Sequence, residues 1–320
     1  MPSRELQFAR IVAGTLTLLS REIREVGHPV DLWSPELSPE IIRETAAKVG
    51  HGEALPLWVD ERHPARGLLI YTPSPWESDF FGFGCTRLLG PFMVVEDQLD
   101  RENRVRGLAR QAIELGRQQN QSLLTIKTPH DPAFMRGFLG VGFVVAEIGC
   151  SLKGAVNAEG HPVEKPGGFL FLDRDDLPEM AADTVAALGD FFYDGHYRHD
   201  PLPGPDQARN LWSRVAFEDL TGQADPAVVL WDRGRDRPAG LATVRLYGRT
   251  AFLSILAVTP SYRGRGFGRL LLSEAMNRLA GQADEIRVET AAYNLPAQAL
   301  YLSLGLIPAA PLAAFHYHYV

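Results

Sequence analysis

The run Arg263-Gly264-Arg265-Gly266-Phe267-Gly268 follows the apolar stretch LSILAV and opens the amphipathic stretch FGRLLLSEAM. A strand, a Gly-rich loop and a helix start in that order present successive backbone N–H groups to an anion, and glycine lets the chain approach it closely. Arg263 and Arg265 add charge-assisted donors. Such a loop suits a pyrophosphate. It lacks the Gly-Lys-Ser/Thr ending of a P-loop, and it lacks the early first glycine and the downstream ribose-binding acid of the dinucleotide fingerprint.

A second pair of segments bears on chemistry. NLPAQALYLSLGL, from Asn294 to Leu306, has a near twin in DPAFMRGFLGVGF, from Asp131 to Phe143. Asp131 falls on Asn294, Gly142 on Gly305, and Phe138 on Tyr301, so at this last position the copies differ by one phenol oxygen. Upstream, Arg104-Val105-Arg106-Gly107-Leu108-Ala109 repeats an Arg-x-x-Gly-x-Ala pattern. The acidic residues Glu96, Asp97, Asp100 and Glu102 precede or enter it, and carboxylates there repel a pyrophosphate. Strand, helix, strand, helix and turn recur in the same order in both halves, which points to a duplication with one working copy.

The elements that must position these residues are legible in outline. Helical spacing covers residues 5 to 26, stopped by Gly27 and Pro29, and again SPEIIRETAAKVG. RGLLIYT, CTRLLGPFMVV, SLLTIKT and VVAEIGCSLKG read as strands of the first half, with a helix over VRGLARQAIELGRQQ. The Gly- and Pro-rich stretch GAVNAEGHPVEKPGG reads as a linker, giving domains over 1–153 and 169–320 joined by 154–168. In the second half FLFLD, AVVLWD, AGLATVRLYG, TAFLSILAVTP, EIRVET and FHYHYV read as strands. Helices are expected over 176–194, 205–221, Gly266 to Leu279, and Pro296 to Leu304.

With 45% hydrophobic and 22% charged residues over 320 positions, the chain has the composition of a soluble globular protein long enough for two domains. A net charge of −7 argues against nucleic acid as a partner. Cys85 and Cys150 are too few and too isolated for a disulfide framework or a metal site, so a reducing cytoplasm and no metal are expected. ARIVAGTLTLLS is too short to span a bilayer and lacks a cleavage signal, so no membrane is expected.

The combined pattern resembles the GNAT superfamily of acyl-CoA N-acyltransferases. The family signature, Arg/Gln-x-x-Gly-x-Gly/Ala after an apolar strand end, is met by Arg263 to Gly268 after Leu256-Ala257-Val258. The downstream strand, Asn, Tyr and Gly-apolar turn are met by EIRVET, Asn294, Tyr301 and Gly305-Leu306. The resemblance implies an α/β (α+β) fold: two tandem GNAT-like domains, each a mixed, mostly antiparallel sheet flanked by helices, the first degenerate. It implies acetyl-CoA as cosubstrate. Backbone groups of Leu256, Ala257 and Val258 would hold the pantetheine arm, Arg263, Gly264, Arg265, Gly266, Phe267 and Gly268 the pyrophosphate, and Asn294 would reach the cofactor beyond. Tyr301 would sit by the thioester sulfur as general acid. The attacking amine must lose a proton; the base stays open between Glu289 and His199, the latter in DGHYRHDP with His196 and Asp200.

PWESDFFGFGCTRL, HYRHDP, TVRL and FHYHYV further resemble the dTDP-fucosamine acetyltransferases, although an N-terminal extension goes beyond that pattern. That implies a small-molecule amine acceptor, a nucleotide-linked amino sugar among the options, with Arg198, Arg245, Tyr197 and Trp212 as candidates to hold it. A protein or peptide N-acetyltransferase and a CoA-binding scaffold without chemistry are the alternatives. A homodimer is the one protein partner the sequence leaves open.

Overall fold

The computed structural model describes residues 12–14, 17, 39–60, 62–63, 66–93, 95, 97–157, 160–172, 174–188, 195–198 and 200–319. The helix expected over 5–26 lies outside them except at 12–14 and 17, and so does His199. The chain forms two compact units, one of residues up to Gly149 together with Ala310–Val320, the other Cys150–Ala309.

The first unit contains α1 (Pro39–Gly50), β1 (Leu55–Trp58), β2 (Leu68–Pro73), α2 (Pro75–Phe81), β3 (Cys85–Phe92), α3 (Gln98–Gln118), β4 (Leu123–Pro129) and α4 (Pro132–Leu139). β5 (Val144–Ala155) carries the chain into the second unit. There follow β6 (Phe169–Phe171), α5 (Leu177–Leu188), α6 (Gly204–Glu218), β7 (Ala227–Asp232), β8 (Arg237–Tyr247) and β9 (Thr250–Val258). α7 (Phe267–Arg278), β10 (Glu285–Ala291), α8 (Leu295–Ser303) and β11 (Ile307–His318) complete the order. β1 and α2 were not expected; β1 is four residues long, too short for an alternation to show.

Both units carry a mixed sheet. In the second, β6 to β9 pair antiparallel in sequence order and β10 joins β9 in parallel. In the first, β1 to β3 pair antiparallel and β4 joins β3 in parallel. β11 then pairs antiparallel with β4, from Leu312 opposite Pro129 to His318 opposite Leu123. The last strand therefore belongs with the first unit, where a second domain running to residue 320 was expected. Ala313 and Phe315 on β11 are fully buried in a core with Val105, Leu108, Ala112 and Ile113 of α3, spaced along one helix face. Tyr319 closes the same end, its hydroxyl donating to the Ile113 carbonyl at 2.8 Å.

The second unit packs both faces of its sheet. Leu271, Leu272, Ala275 and Met276 of α7 cover one face with Tyr301 and Leu304, against Val228, Ala242, Val244 and Ile286. Leu177, Ala181 and Leu188 of α5 with Ala216 of α6 cover the other, against Val229, Leu241 and Ile255. β7 is buried at every position, as a strand covered on both faces must be.

The duplication is visible in hydrogen bonds. Asp131 caps α4, its carboxylate accepting from the N–H groups of Ala133 and Phe134, and Asn294 caps α8, accepting from Ala297. After each helix a left-handed glycine, Gly142 or Gly305, turns the chain. The N–H of Phe143 then donates to Phe138 at 3.2 Å, and that of Leu306 to Tyr301 at 3.1 Å. Because Phe315 fills the first unit's core from the far end of the sequence, Phe315→Ala is expected to cost about 3–5 kcal/mol in chemical denaturation; a loss under about 1 kcal/mol would contradict this placement.

Candidate active site

The site of the second unit begins where two parallel strands part. β9 and β10 pair at Thr250–Glu285, Ala251–Ile286 and Phe252–Arg287, and there the pairing ends. On its other side β9 stays paired with β8 up to Val258 opposite Gly240. Leu253 to Val258 thus keep one edge without a strand partner among the described residues, and Leu256, Ala257 and Val258 lose the buried-then-half-buried alternation of the residues before them. Peptide groups along such an edge can hydrogen-bond an extended ligand as an added strand would.

The chain then turns through Pro260–Tyr262 into the expected loop. Gly264 (φ 72°) and Gly266 (φ 80°) are both left-handed, a conformation that costs any other L-residue steric energy. Gly266 sits at the N-cap of α7 without a side chain to satisfy the first-turn donors. Residues 263–266 are exposed, and the N–H groups of Gly264 to Gly268 have no protein acceptor among the described residues. The Arg263 guanidinium is turned back, its Nε donating to the Val258 carbonyl at 3.0 Å. It braces the strand end against the loop.

Tyr301 is 6% exposed, in the core that α7 and α8 share. Burial, with a smaller contribution from the neighbouring Cys150 thiol, holds its phenol well above the usual range. Its hydroxyl has no hydrogen-bond partner among the described residues, so at neutral pH it is a protonated donor free to act on a ligand. Asn294 stands at the start of α8. Its carbonyl oxygen caps α8 and its amide nitrogen donates to Thr290 Oγ1 at 3.0 Å, so its polar atoms serve the turn that carries Tyr301. Glu289 lies on β10 between Val288 and Thr290, half-buried, on the face opposite the buried Ile286 and Val288.

The acceptor candidates fare unevenly. Tyr197 is 3% exposed, with its ring tilted against His196, so it offers no open face to a base. Trp212 packs against the core of the α5 and α6 face. Arg245 is bound to Asp219, which is fully buried in its side chain, at 2.6 Å, and Thr243 Oγ1 donates to the same carboxylate at 2.7 Å. Asp219 opens the kinked turn Asp219–Gln223 that follows α6, where Gly222 has φ 133°. In PWESDFFGFGCTRL the fully buried Glu77 holds Arg87 through two hydrogen bonds of 2.8 and 2.7 Å, while Trp76 stacks on Phe80. That motif builds the first unit.

The first unit has the same parting of strands with a different filling. β3 and β4 pair from Cys85–Leu123 to Leu88–Ile126 and then separate. Arg101, 7% exposed, spans the ends: its Nε and Nη2 donate to the Val95 carbonyl and its Nη1 to Asp131 at 2.7 Å. Asp97 caps α3 with its own carboxylate, accepting from Asp100 N at 2.7 Å. Arg104 to Ala109, which repeat the Arg-x-x-Gly-x-Ala pattern, lie within a helix as read for VRGLARQAIELGRQQ, with Gly107 inside α3. The capping carboxylate starts the helix earlier and leaves no loop there. Phe138 is fully buried against Phe143 and Phe315, with ring centroids 5.2 and 5.4 Å away.

Residues 190–306 match the acetyltransferase (GNAT) family. The matched region contains the open strand edge, the glycine loop and Tyr301. Mycothiol acetyltransferase of Clavibacter michiganensis is 38% identical over 101 residues, 30% of this chain and 32% of the relative, so the match spans about a third of that protein. Among solved structures, a GCN5-related N-acetyltransferase from Sphaerobacter thermophilus aligns with a TM-score of 0.58 at 13% identity, over 85% of each chain. A tandem GNAT protein of the clavulanic acid biosynthesis pathway aligns with a TM-score of 0.51 at 14% identity, over 79% of this chain and 78% of that one. Both share the fold. No described helix is long and apolar enough to cross a membrane.

The loop yields a direct test. Nothing lies within 4 Å of where a Cβ would stand on Gly266, so a side chain there meets only the backbone penalty, about 1–3 kcal/mol for a non-Gly residue in this region. An exposed loop relieves that strain by rotating its N–H groups away. Gly266→Val is expected to weaken CoA binding by at least about tenfold in calorimetry. Its unfolding midpoint should move by only a few degrees; unchanged affinity would remove the loop from the site.

Proposed function

We propose that the second unit transfers an acetyl group from acetyl-CoA to the primary amine of a small polar acceptor, and that it is the one cofactor site of the chain. The observation that carries this reading is the open β9 edge from Leu253 to Val258, which runs into a loop of unpaired N–H groups. A pantetheine arm fits the first and a pyrophosphate the second. Acetyl-CoA supplies the activated thioester carbonyl. The chain's residues then have separable tasks. Leu256 to Val258 fix the arm by backbone hydrogen bonds, the loop and α7 hold the diphosphate, and Tyr301 presents its proton where the leaving sulfur gains charge.

In the reaction the acceptor nitrogen forms a bond to the thioester carbon and the carbon–sulfur bond breaks. The electron pair leaves on sulfur and is met by the Tyr301 proton, while the amine proton passes to a base. Glu289 is proposed for that base: it is a carboxylate on the diverging strand, on the sheet face away from Tyr301's core. The tyrosinate recovers its proton from solvent readily, because burial favours the neutral form.

A small molecule is favoured over a peptide as acceptor by the curated relative, whose name assigns it mycothiol. Of the acceptor candidates on β8, Arg245 is partly exposed and is fixed by the buried Asp219, which suits it to hold a hydroxyl-rich acceptor such as an amino sugar. A nucleotide carried on that sugar draws no support from Tyr197, since its ring is buried.

Acetyl-CoA-dependent thiol release, screened over amino sugars, polyamines, amino acids and peptides, identifies the acceptor class. With the best acceptor, Tyr301→Phe is expected to lower kcat by about 100-fold with KM for acetyl-CoA near the wild-type value. Because burial raises the phenol pKa, the defect should persist from pH 7 to about pH 10, with no loss of the wild-type rate from Tyr301 ionisation in that window. Equal turnover of the two proteins would exclude Tyr301 as the acid.

A further inference from the structure

Beside the glycine loop, the hairpin between β7 and β8 carries Arg233, Arg235 and Arg237, all exposed. Tyr262 lies between hairpin and loop. Its ring is buried, stacks on Phe267 at 5.8 Å, and its hydroxyl donates to Asp232 at 2.5 Å. The guanidinium carbons of Arg235, Arg237 and Arg265 stand 5.7, 5.5 and 5.7 Å from the centre of that one ring. The ring face attracts each cation, but three like charges gathered around it also repel one another.

The nearby carboxylates are already engaged. Asp232 accepts from the Tyr262 hydroxyl and from the N–H groups of Gly234 and Arg235, and stands 4.0 Å from the Arg235 guanidinium. Asp236 accepts from Trp231 Nε1 at 3.2 Å. Arg237 donates to two hydroxyls, Tyr262 at 3.4 Å and Ser261 at 3.3 Å. Neither Arg237 nor Arg265 has a carboxylate partner among the described residues. In a chain of net charge −7, this is a local concentration of cations aimed at solvent.

We infer that Arg235 and Arg237 form a subsite for a phosphomonoester, the 3′-phosphate on the adenosine ribose of CoA, flanking the loop that takes the pyrophosphate. The inference rests on the cofactor site proposed above and adds a specificity to it. In CoA the two phosphate groups are separated by one ribose, and here two anion-binding surfaces are separated by one buried tyrosine. Guanidinium forks suit a dianionic phosphate, which they can bind through paired N–H donors. The pyrophosphate already has the α7 N-terminus; the hairpin arginines are left for a further anion.

Calorimetric titration of the full chain with CoA and with 3′-dephospho-CoA tests the assignment. The wild-type chain is expected to bind CoA at least about tenfold more tightly than dephospho-CoA. The double variant Arg235→Ala, Arg237→Ala should bind the two alike, at the wild-type affinity for dephospho-CoA, which also reports that its site is folded. Equal wild-type affinities, or equal weakening of both ligands by the substitutions, would overturn the subsite and leave the cofactor site standing. Binding of neither ligand to the wild-type chain would remove the cofactor site and the subsite with it.

Discussion

Two parallel strands that stop pairing partway leave an edge of peptide groups, and buried peptide groups must find partners. Each unit of this chain meets that constraint once, at β3 and β4 in the first and at β9 and β10 in the second. In the first, the buried Arg101 guanidinium stands just past the two strand ends, bonding the Val95 carbonyl beyond β3 and the Asp131 carboxylate beyond β4. The second leaves the edge open, with only the Arg263 side chain returning to the Val258 carbonyl. One strand geometry is thus followed by a buried ion pair in one unit and by an exposed glycine loop in the other.

The residues around each opening follow from that difference. A carboxylate at a helix N-terminus satisfies donors and opposes the helix dipole's attraction for other anions, and Asp97 does this for α3. Gly266 at the same point of α7 does neither, so the attraction is kept for a ligand. Phe138 needs no partner in its apolar core, whereas Tyr301 brings a phenol hydroxyl to the matching position, with no protein partner for it among the described residues.

Much of this could be read in the residues before the fold was known. Glycine spacing after an apolar strand located the loop, and the paired segments around Phe138 and Tyr301 located the repeat, because both signals are local. The Arg101 ion pair was not legible: it forms only when α3 lies beside the parted strands, and its sequence context suggested a weakened anion loop. The end of the chain was misplaced for a related reason. β11 looks like the next strand of the second domain, and only its register with β4 assigns it to the first. The resemblance gives Asn294 a cofactor role, and a polar residue ahead of Leu-Pro at a helix start is also a cap, as its hydrogen bond to the helix shows. The hairpin arginines carried a faint signal, their alternation in DRGRDR, which gains meaning from Tyr262 alone.

The central claim is that the parted strands of the second unit, and not those of the first, receive the cofactor. A crystal structure of the full chain with CoA tests it most directly. The expected result is one CoA per chain, its pantetheine arm hydrogen-bonded along Leu253 to Val258, its pyrophosphate at Gly264 to Gly268 and its sulfur beside Tyr301, with Arg101 still bound to Val95 and Asp131. CoA lying beside Phe138 with Arg101 displaced would contradict it.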